Sequence, residues 1–295
     1  MKICCIGIAV QDRIFTVKNL PQNEGKFFAN NFREQGGGPA ATAAVAIAKL
    51  GGEVDMIARI GADATGKAIL EELEQYGVGT QYMRIIDGAC STQASITVDS
   101  QGKRIIISYP SPSLIPDADF LDHIDFSQYD LILADVRWHQ GALKAFEIAK
   151  KLNIPTVLDA DITDQPIDEL VALSSHAIFS EPGLKKFTKL EDIDSALKKA
   201  SVLTSGQVYV TLGENGYKFL DNSEIVHKLG FKVNVVDTTG AGDVFHGAFS
   251  YALGLKNNVV DCLNFAAATA ALKCTKPGGR TGIPSYDEVK YLIQN

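Results

Sequence analysis

The stretch GGGPAATAAVAIAKLGGEVDMIARIG, residues 36–61, decides the fold class. Three glycines open it, and Pro39 stands where the first turn of a helix tolerates a missing N–H. Small and apolar residues then continue to Leu50, and Gly51 falls at the position just past a helix end, where left-handed backbone is common. EVDMIARIG follows as an apolar strand. A loop, a helix and a buried strand in that order make one step of a parallel α/β sheet. Asp63 then caps a second helix over 64–76, whose Ile69, Leu70 and Leu73 form an apolar face.

The alternation extends both ways. Residues 2–10, KICCIGIAV, read as one strand buried on both faces. Downstream, LILAD (131–135), TVLDA (156–160), AIFS (177–180) and VYVTL (208–212) read as strands, with GYKFL (216–220) as a hairpin partner and KVNVV (232–236) as the last strand. Helices are expected over 140–151, 191–203, after Gly242, and over 257–274 and 285–294. The pattern predicts an α/β domain with a mostly parallel sheet covered on both faces. Two stretches break it: 13–35 and 85–110 carry short alternating strands, RIFTV, KFFANNF, QASITV and RIIISY. They are expected to pair as one small sheet, a lid beside the C-terminal end of the first strand; two separate hairpins are the alternative. Residues 1–295 thus read as a single domain with a lid.

Composition excludes several functions. The net charge is −7, and no basic stripe is interleaved with aromatics, which argues against nucleic-acid binding. Five cysteines include no CxxC pair, as expected of reduced thiols in a cytoplasmic protein, and the five histidines do not cluster with them into a zinc site. KICCIGIAV is too short to cross a membrane and has no leader-peptide cleavage site.

The chemistry concentrates in VVDTTGAGDVFHGAFSYALG, residues 235–254. Gly240, Ala241 and Gly242 open a helix whose Val244, Ala248 and Tyr251 share one face. A helix N-terminus offers unpaired N–H groups and a positive dipole end, and glycines let a ligand approach, so this loop suits a phosphate. Asp243 follows directly, placed to accept a proton from a hydroxyl nucleophile; a dipole-favoured surface carboxylate is the competing assignment. The loop lacks the GKS or GKT ending of a P-loop, and no GxGxxG fingerprint follows the first strand.

VVDTTGAGDVFHGA resembles the C-terminal signature of the ribokinase-like carbohydrate kinases, and GGGPAATAAVAIAKLGG with IARIGADATGKAILEELEQYGV resembles their N-terminal one. The resemblance covers 1–295 and implies a three-layer α/β/α sandwich with a β-sheet lid. It implies transfer of the γ-phosphoryl of ATP to a sugar hydroxyl, with Mg²⁺ and, in some members, a monovalent cation. By that likeness Asp243 is the base, and the amides of Gly240, Ala241 and Gly242 form the anion hole. Asp12, Gly37 and Gly38 hold the sugar, while Thr211, Gly213 and Gly216 of VTLGENG approach ATP. Thr42 stands where many relatives carry Asn. SEPG (180–183) replaces an Asn-x-x-Glu motif, leaving Glu181 to act on the metal through water. Similar enzymes often form homodimers through the lid.

Within the family, GIAVQDRIF, RIIISYPSP, ILADVRWHQGA and KCTKPGGRTGIP resemble the branch that phosphorylates 6-deoxy-6-sulfofructose at its 1-hydroxyl. That likeness gives Lys26 and Arg137 to the sulfonate and puts Ser108 where the branch has Asn; Arg13, by its position next to Asp12, is within reach of the same ligand. Arg137 follows the strand LILAD at the end where ligands of open α/β sheets bind, though an ion pair with Asp135 or Asp159 would also account for it. Lys26 reads equally as a solvated lid cation, and His139 and His246 as structural. Fructose, a fructose phosphate, 2-keto-3-deoxygluconate and ribose or a nucleoside are the alternative acceptors. A catalytically silent sugar- or nucleotide-binding regulator is the alternative outside the kinases.

Overall fold

The protein is described by a computed structural model covering residues 1–295. Its first part contains β1 (Lys2–Ile6), β2 (Val10–Thr16), β3 (Asn31–Gly37), α1 (Pro39–Lys49), β4 (Glu53–Ile57), β5 (Arg59–Gly61), α2 (Ala64–Gln75), β6 (Arg84–Ile86), β7 (Gln93–Val98) and β8 (Arg104–Tyr109). Then come β9 (Leu131–Asp135), α3 (His139–Leu152), β10 (Thr156–Ala160), α4 (Asp168–Leu173), β11 (His176–Ser180), α5 (Glu181–Thr188), α6 (Ile193–Ser201) and β12 (Gln207–Thr211). The chain closes with β13 (Tyr217–Asp221), β14 (Glu224–Lys228), α7 (Ala241–Gly254), α8 (Val259–Cys274) and α9 (Tyr286–Gln294).

The central sheet has eight strands in the order β14-β13-β12-β11-β10-β9-β1-β4. Strands β4 to β12 in that row run parallel; β13 turns back antiparallel to β12, and β14 antiparallel to β13. Side-chain alternation sends Ile3 and Cys5 of β1 into a core with α1, α7 and α8, and Cys4 and Ile6 into a second core with α3, α5 and α6. Both faces are therefore apolar, which is why the strands read as continuous hydrophobic runs. The expected three-layer α/β/α architecture is present.

Helix ends follow their local chemistry. Pro39 starts α1, Leu50 caps it, and Gly51 follows at φ 94°. Asp63 accepts from Gly66 N at 2.7 Å and caps α2. Departures from the sequence reading also have local causes. Residues 2–10 are not one strand: the Ile8 N–H donates to Asp135 Oδ2 at 3.0 Å, and the chain re-enters as lid strand β2. EVDMIARIG breaks into β4 and β5, because β5 pairs with β6 outside the main sheet. No strand forms over 232–236; Val236 N and Asp237 N donate instead to Cys274 O at the end of α8. The last strand is β14. SEPG opens a helix of its own, α5, with Ser180 as its cap.

The two lid segments pair as expected, in the order β3-β2-β7-β8, with β2 and β7 parallel. Val10, Ile14, Ala94 and Ile96 form its inner apolar cluster. Phe15, Phe32, Ile105, Ile107 and Tyr109 lie exposed on alternate positions. The first lid strand after the loop begins at Asn31, so Lys26, Phe27 and Phe28 precede it. Cys4, Cys5, Cys262 and Cys274 are buried, and burial raises their thiol pKa; Cys90 is exposed. No helix is long and apolar enough to cross a membrane.

Candidate active site

The two signature stretches meet where α1 packs on α7. Gly240 takes left-handed backbone, φ 72°, and starts α7. A Cβ there would stand 3.5 Å from Thr42 Cγ2 and 3.7 Å from Asp243 Oδ2, so the glycine loop, the base candidate and the first motif share one spot. The Ala241 N–H turns back to donate to Thr238 O at 3.2 Å. Asp243 is half-buried in the first turn. Burial pushes its pKa up to about 7; Asp159 adds to the rise and His246 opposes it. His246 sits behind it, donating from Nδ1 to Gly242 O at 2.7 Å, with Nε2 3.2 Å from Ile178 O. The ring thus ties the first turn of α7 to β11, the structural role expected of it.

The sugar half is built around buried charges. Asp12 on β2 has its pKa pushed up to about 6 by burial, with the Arg280 guanidinium pulling the other way. Gly37 approaches it so closely that a Cβ would lie 2.4 Å from Asp12 Oδ2, and Gly38, at φ 93°, would place one 2.4 Å from Ile8 O. Arg280 is 2% exposed; its Nη2 donates to Gly37 O at 2.8 Å, its Nε reaches Thr42 Oγ1 at 3.5 Å, and its Nη1 lies 3.4 Å from Glu72 Oε1. Asp135 is the second anchor. Its Oδ2 accepts from Ile8 N at 3.0 Å and Ala40 N at 3.1 Å, and its Oδ1 accepts from Arg137 N at 2.8 Å. One buried carboxylate therefore fixes the end of β1, the start of α1 and the turn carrying Arg137.

A cleft of about 1190 Å³ lies between lid and sheet, and Asp12, Gly38, Ser108, Arg137 and Gly240 all line it. Gly37, beside Asp12, and Thr42 and Asp243, beside Gly240, adjoin the cleft without lining it, and two expected members lie further away. Lys26 lies on the exposed β2–β3 loop, 5.5 Å over the Phe28 ring, and does not line the cleft. Arg13 alternates to the opposite lid face from Asp12, where Nε donates to Glu34 Oε1 at 3.0 Å. Arg137 does form an ion pair, but with Asp161, at 2.7 Å, rather than with Asp135 or Asp159. Thr211 ends β12, and Gly213 and Gly216 lie in the turn to β13, at the same C-terminal edge of the sheet as the end of β1 but four strands along the row from it. Glu181 pairs with Lys185 at 2.9 Å.

Three arginines that the sequence reading passed over also line the cleft: Arg33, Arg59 and Arg104. Arg104 Nη1 donates to Thr239 Oγ1 at 3.2 Å, and Arg33 Nη2 lies 3.9 Å from Asp237 Oδ2, so the lid touches the loop before the anion hole. Arg59 lies 4.5 Å over the Trp138 ring and donates from Nη1 to Leu114 O and Ile115 O. A lone charge inside the apolar stretch MIARIG, 56–61, was the available signal for it.

No three His, Cys, Asp or Glu side chains converge into a metal cage. Mg²⁺ needs only one or two carboxylates, keeping its waters and the substrate phosphates. Asp161, bonded to Ser180 Oγ at 2.8 Å, and Glu181 are the carboxylates at this edge.

A helix N-terminus built for a phosphoryl group, a carboxylate poised near neutral pH and a polar cleft under a lid define a phosphotransferase with a hydroxyl acceptor. Residues 1–285 match the model of the pfkB family carbohydrate kinases, and the chain belongs to that family. It is 28% identical over 293 residues to the ribokinase of Bacillus subtilis (strain 168), covering 99% of each chain. Among solved structures it is similar to the ribokinase of Thermotoga maritima, at 27% identity and TM-score 0.89, covering 99% of each chain. The ribokinase of Arabidopsis thaliana complexed with ribose and ATP aligns at 27% identity and TM-score 0.87, over 100% of this chain and 98% of that one. The protein is an ATP-dependent carbohydrate kinase.

Proposed function

We propose that this kinase phosphorylates the 1-hydroxyl of 6-deoxy-6-sulfofructose. The observation that carries the reading is the cationic wall of the cleft, where Arg137 and Arg59 stand with Ser108. A sulfonate is a permanent anion with three acceptor oxygens, and planar guanidinium donors match it. Asp12, Thr42 and the Gly37–Gly38 backbone hold the sugar hydroxyls. Asp243 accepts the proton of the attacking hydroxyl as the new O–P bond forms and the bond to ADP breaks. The Gly240 and Gly242 amides hold the transferring phosphoryl. ATP lies along Thr211, Gly213 and Gly216. Mg²⁺, when bound, offsets the phosphate charge, with Glu181 acting on it through water.

A neutral pentose such as ribose is the second reading. It is favoured by the Arg137–Asp161 pair, which already meets the arginine's charge, and by the Arabidopsis relative complexed with ribose and ATP. ADP release measured across sulfofructose, fructose 6-phosphate, fructose, 2-keto-3-deoxygluconate, ribose and nucleosides separates the two. Sulfofructose is expected to give the highest kcat/KM. Arg137→Ala should raise its KM by about 10- to 100-fold, the worth of a hydrogen bond to a charged group, and leave neutral sugars near their original values. A best rate with ribose, untouched by that substitution, would replace the first reading by the second.

We also propose a homodimer joined through the outer lid face, supported by the exposed row Phe15, Phe32, Ile105, Ile107 and Tyr109. Light scattering is expected to give the mass of two chains, and Ile107→Lys the mass of one. A single-chain mass for the unsubstituted protein would rule the dimer out.

A further inference from the structure

α8 ends directly beneath the loop 235–239 that feeds the anion hole. Lys273, in its last turn, is 0% exposed, and its Nζ donates to Asp237 O at 2.7 Å. One residue further, Cys274 O accepts from Val236 N at 2.7 Å and from Asp237 N at 3.1 Å. On the other side of the loop, the Asp237 carboxylate accepts from Thr239 N and Gly278 N, each at 2.9 Å. The ammonium therefore sits against one backbone oxygen, that of Asp237, three residues before Gly240, and the carboxylate of the same residue favours its charge. A monovalent cation held against that carbonyl would support the loop in the same way.

Burying a charge is costly unless it is compensated, and the neighbours of Lys273 on α8 are apolar or small. A methionine would fill the same space without that cost, so the charge itself needs an account. Burial pushes the Lys273 pKa down, while Asp237, Cys274 and Asp243 favour the charged form.

We infer that Lys273 is a built-in monovalent cation: its ammonium fixes the Asp237 turn and supplies positive charge behind the anion hole, so the transfer needs no added alkali ion. The dependence on a monovalent cation that the family resemblance allowed therefore does not extend to this chain. Lys273 is a positioning residue, acting through the loop rather than on the substrate. The inference rests on the kinase activity and not on which sugar is phosphorylated.

The test uses the full-length protein with whichever sugar it turns over fastest. A failure of the sulfofructose reading thus leaves it intact. Rates are measured in alkali-free buffer, with tetramethylammonium chloride holding ionic strength, and again with potassium chloride. The unsubstituted enzyme is expected to run equally fast in both. Lys273→Met is expected to lose about 10- to 100-fold in kcat, with less change in the KM for ATP, and to regain part of the loss with potassium or ammonium ions. Lys273→Gln, which keeps an N–H donor but carries no charge, is expected to behave like the Met variant. If the Met variant does not fold, the Gln variant and the ion response of the unsubstituted enzyme decide. Activation of the unsubstituted enzyme by potassium, or full activity of Lys273→Gln without it, would overturn the inference.

Discussion

Asp243→Asn is expected to bind ATP as the unsubstituted kinase does and to turn over about 10²–10⁴-fold more slowly. The amide keeps the shape of the carboxylate but has no lone pair basic enough to take the hydroxyl proton. The unsubstituted enzyme should also show an acid limb in kcat/KM near pH 7, because Asp243 has its pKa pushed up to about 7 and works only after losing its proton. The rate should rise as pH increases through that range. Asp12, pushed up to about 6, adds a second loss at lower pH. The Asn variant should have lost the limb near 7. Nucleotide binding measured by calorimetry alongside the ADP-release rate separates lost chemistry from lost folding. Turnover near the original rate would take Asp243 out of the base role.

The second large effect is expected on stability. Arg280→Leu removes a cation that is 2% exposed and leaves Glu72 and Asp12 without their shared partner. Losing one member of a buried charge group costs about 3 kcal/mol or somewhat more. That corresponds to a fall in Tm of roughly 6–12 °C for a chain of this size. Adding Glu72→Gln should return part of the loss, since it removes one of the orphaned charges. The Gly37 carbonyl also loses its donor, so sugar KM should rise even below the melting range. An unchanged Tm would show that the group is solvated rather than buried. The same group accounts for Gly36: a Cβ there would stand within 3 Å of Arg280 Nη1 and of Glu72 Oε2. The first glycine of GGG thus makes room for an ion pair, while the next two let the backbone close on Asp12 and on the Ile8 carbonyl.

Much of this architecture was legible because it is periodic. The apolar strands, the Pro39 and Asp63 helix starts and the two alternating lid segments all follow local chemistry, and the GAGD loop advertised an anion site by its glycines. What stayed hidden depends on partners distant in sequence. Asp135 reads as a strand residue, yet it anchors Ile8, Ala40 and Arg137. Arg280 lies in a glycine-rich turn, and only folding sets it under Gly36 and beside Asp12. KVNVV alternates like a strand but is tied to the end of α8 instead. Lys26 runs the other way: the sequence places this cation on the sulfonate, whereas strand β3 begins five residues later and the lysine lies on the loop, outside the cleft lining.

Cys90 lies between β6 and β7, where the chain climbs from the body of the domain into the lid. Its N–H donates to Ser113 Oγ, and its carbonyl accepts from Ser111 Oγ, so the backbone there is fixed while the sulfur faces solvent. The other four thiols are shielded. A maleimide fluorophore or spin label should therefore attach at this one place without any engineered cysteine. The native chain carries its own reporter at the root of the lid, and the distance from that reporter to a probe on α7 would measure how far the lid stands open when sugar and nucleotide arrive.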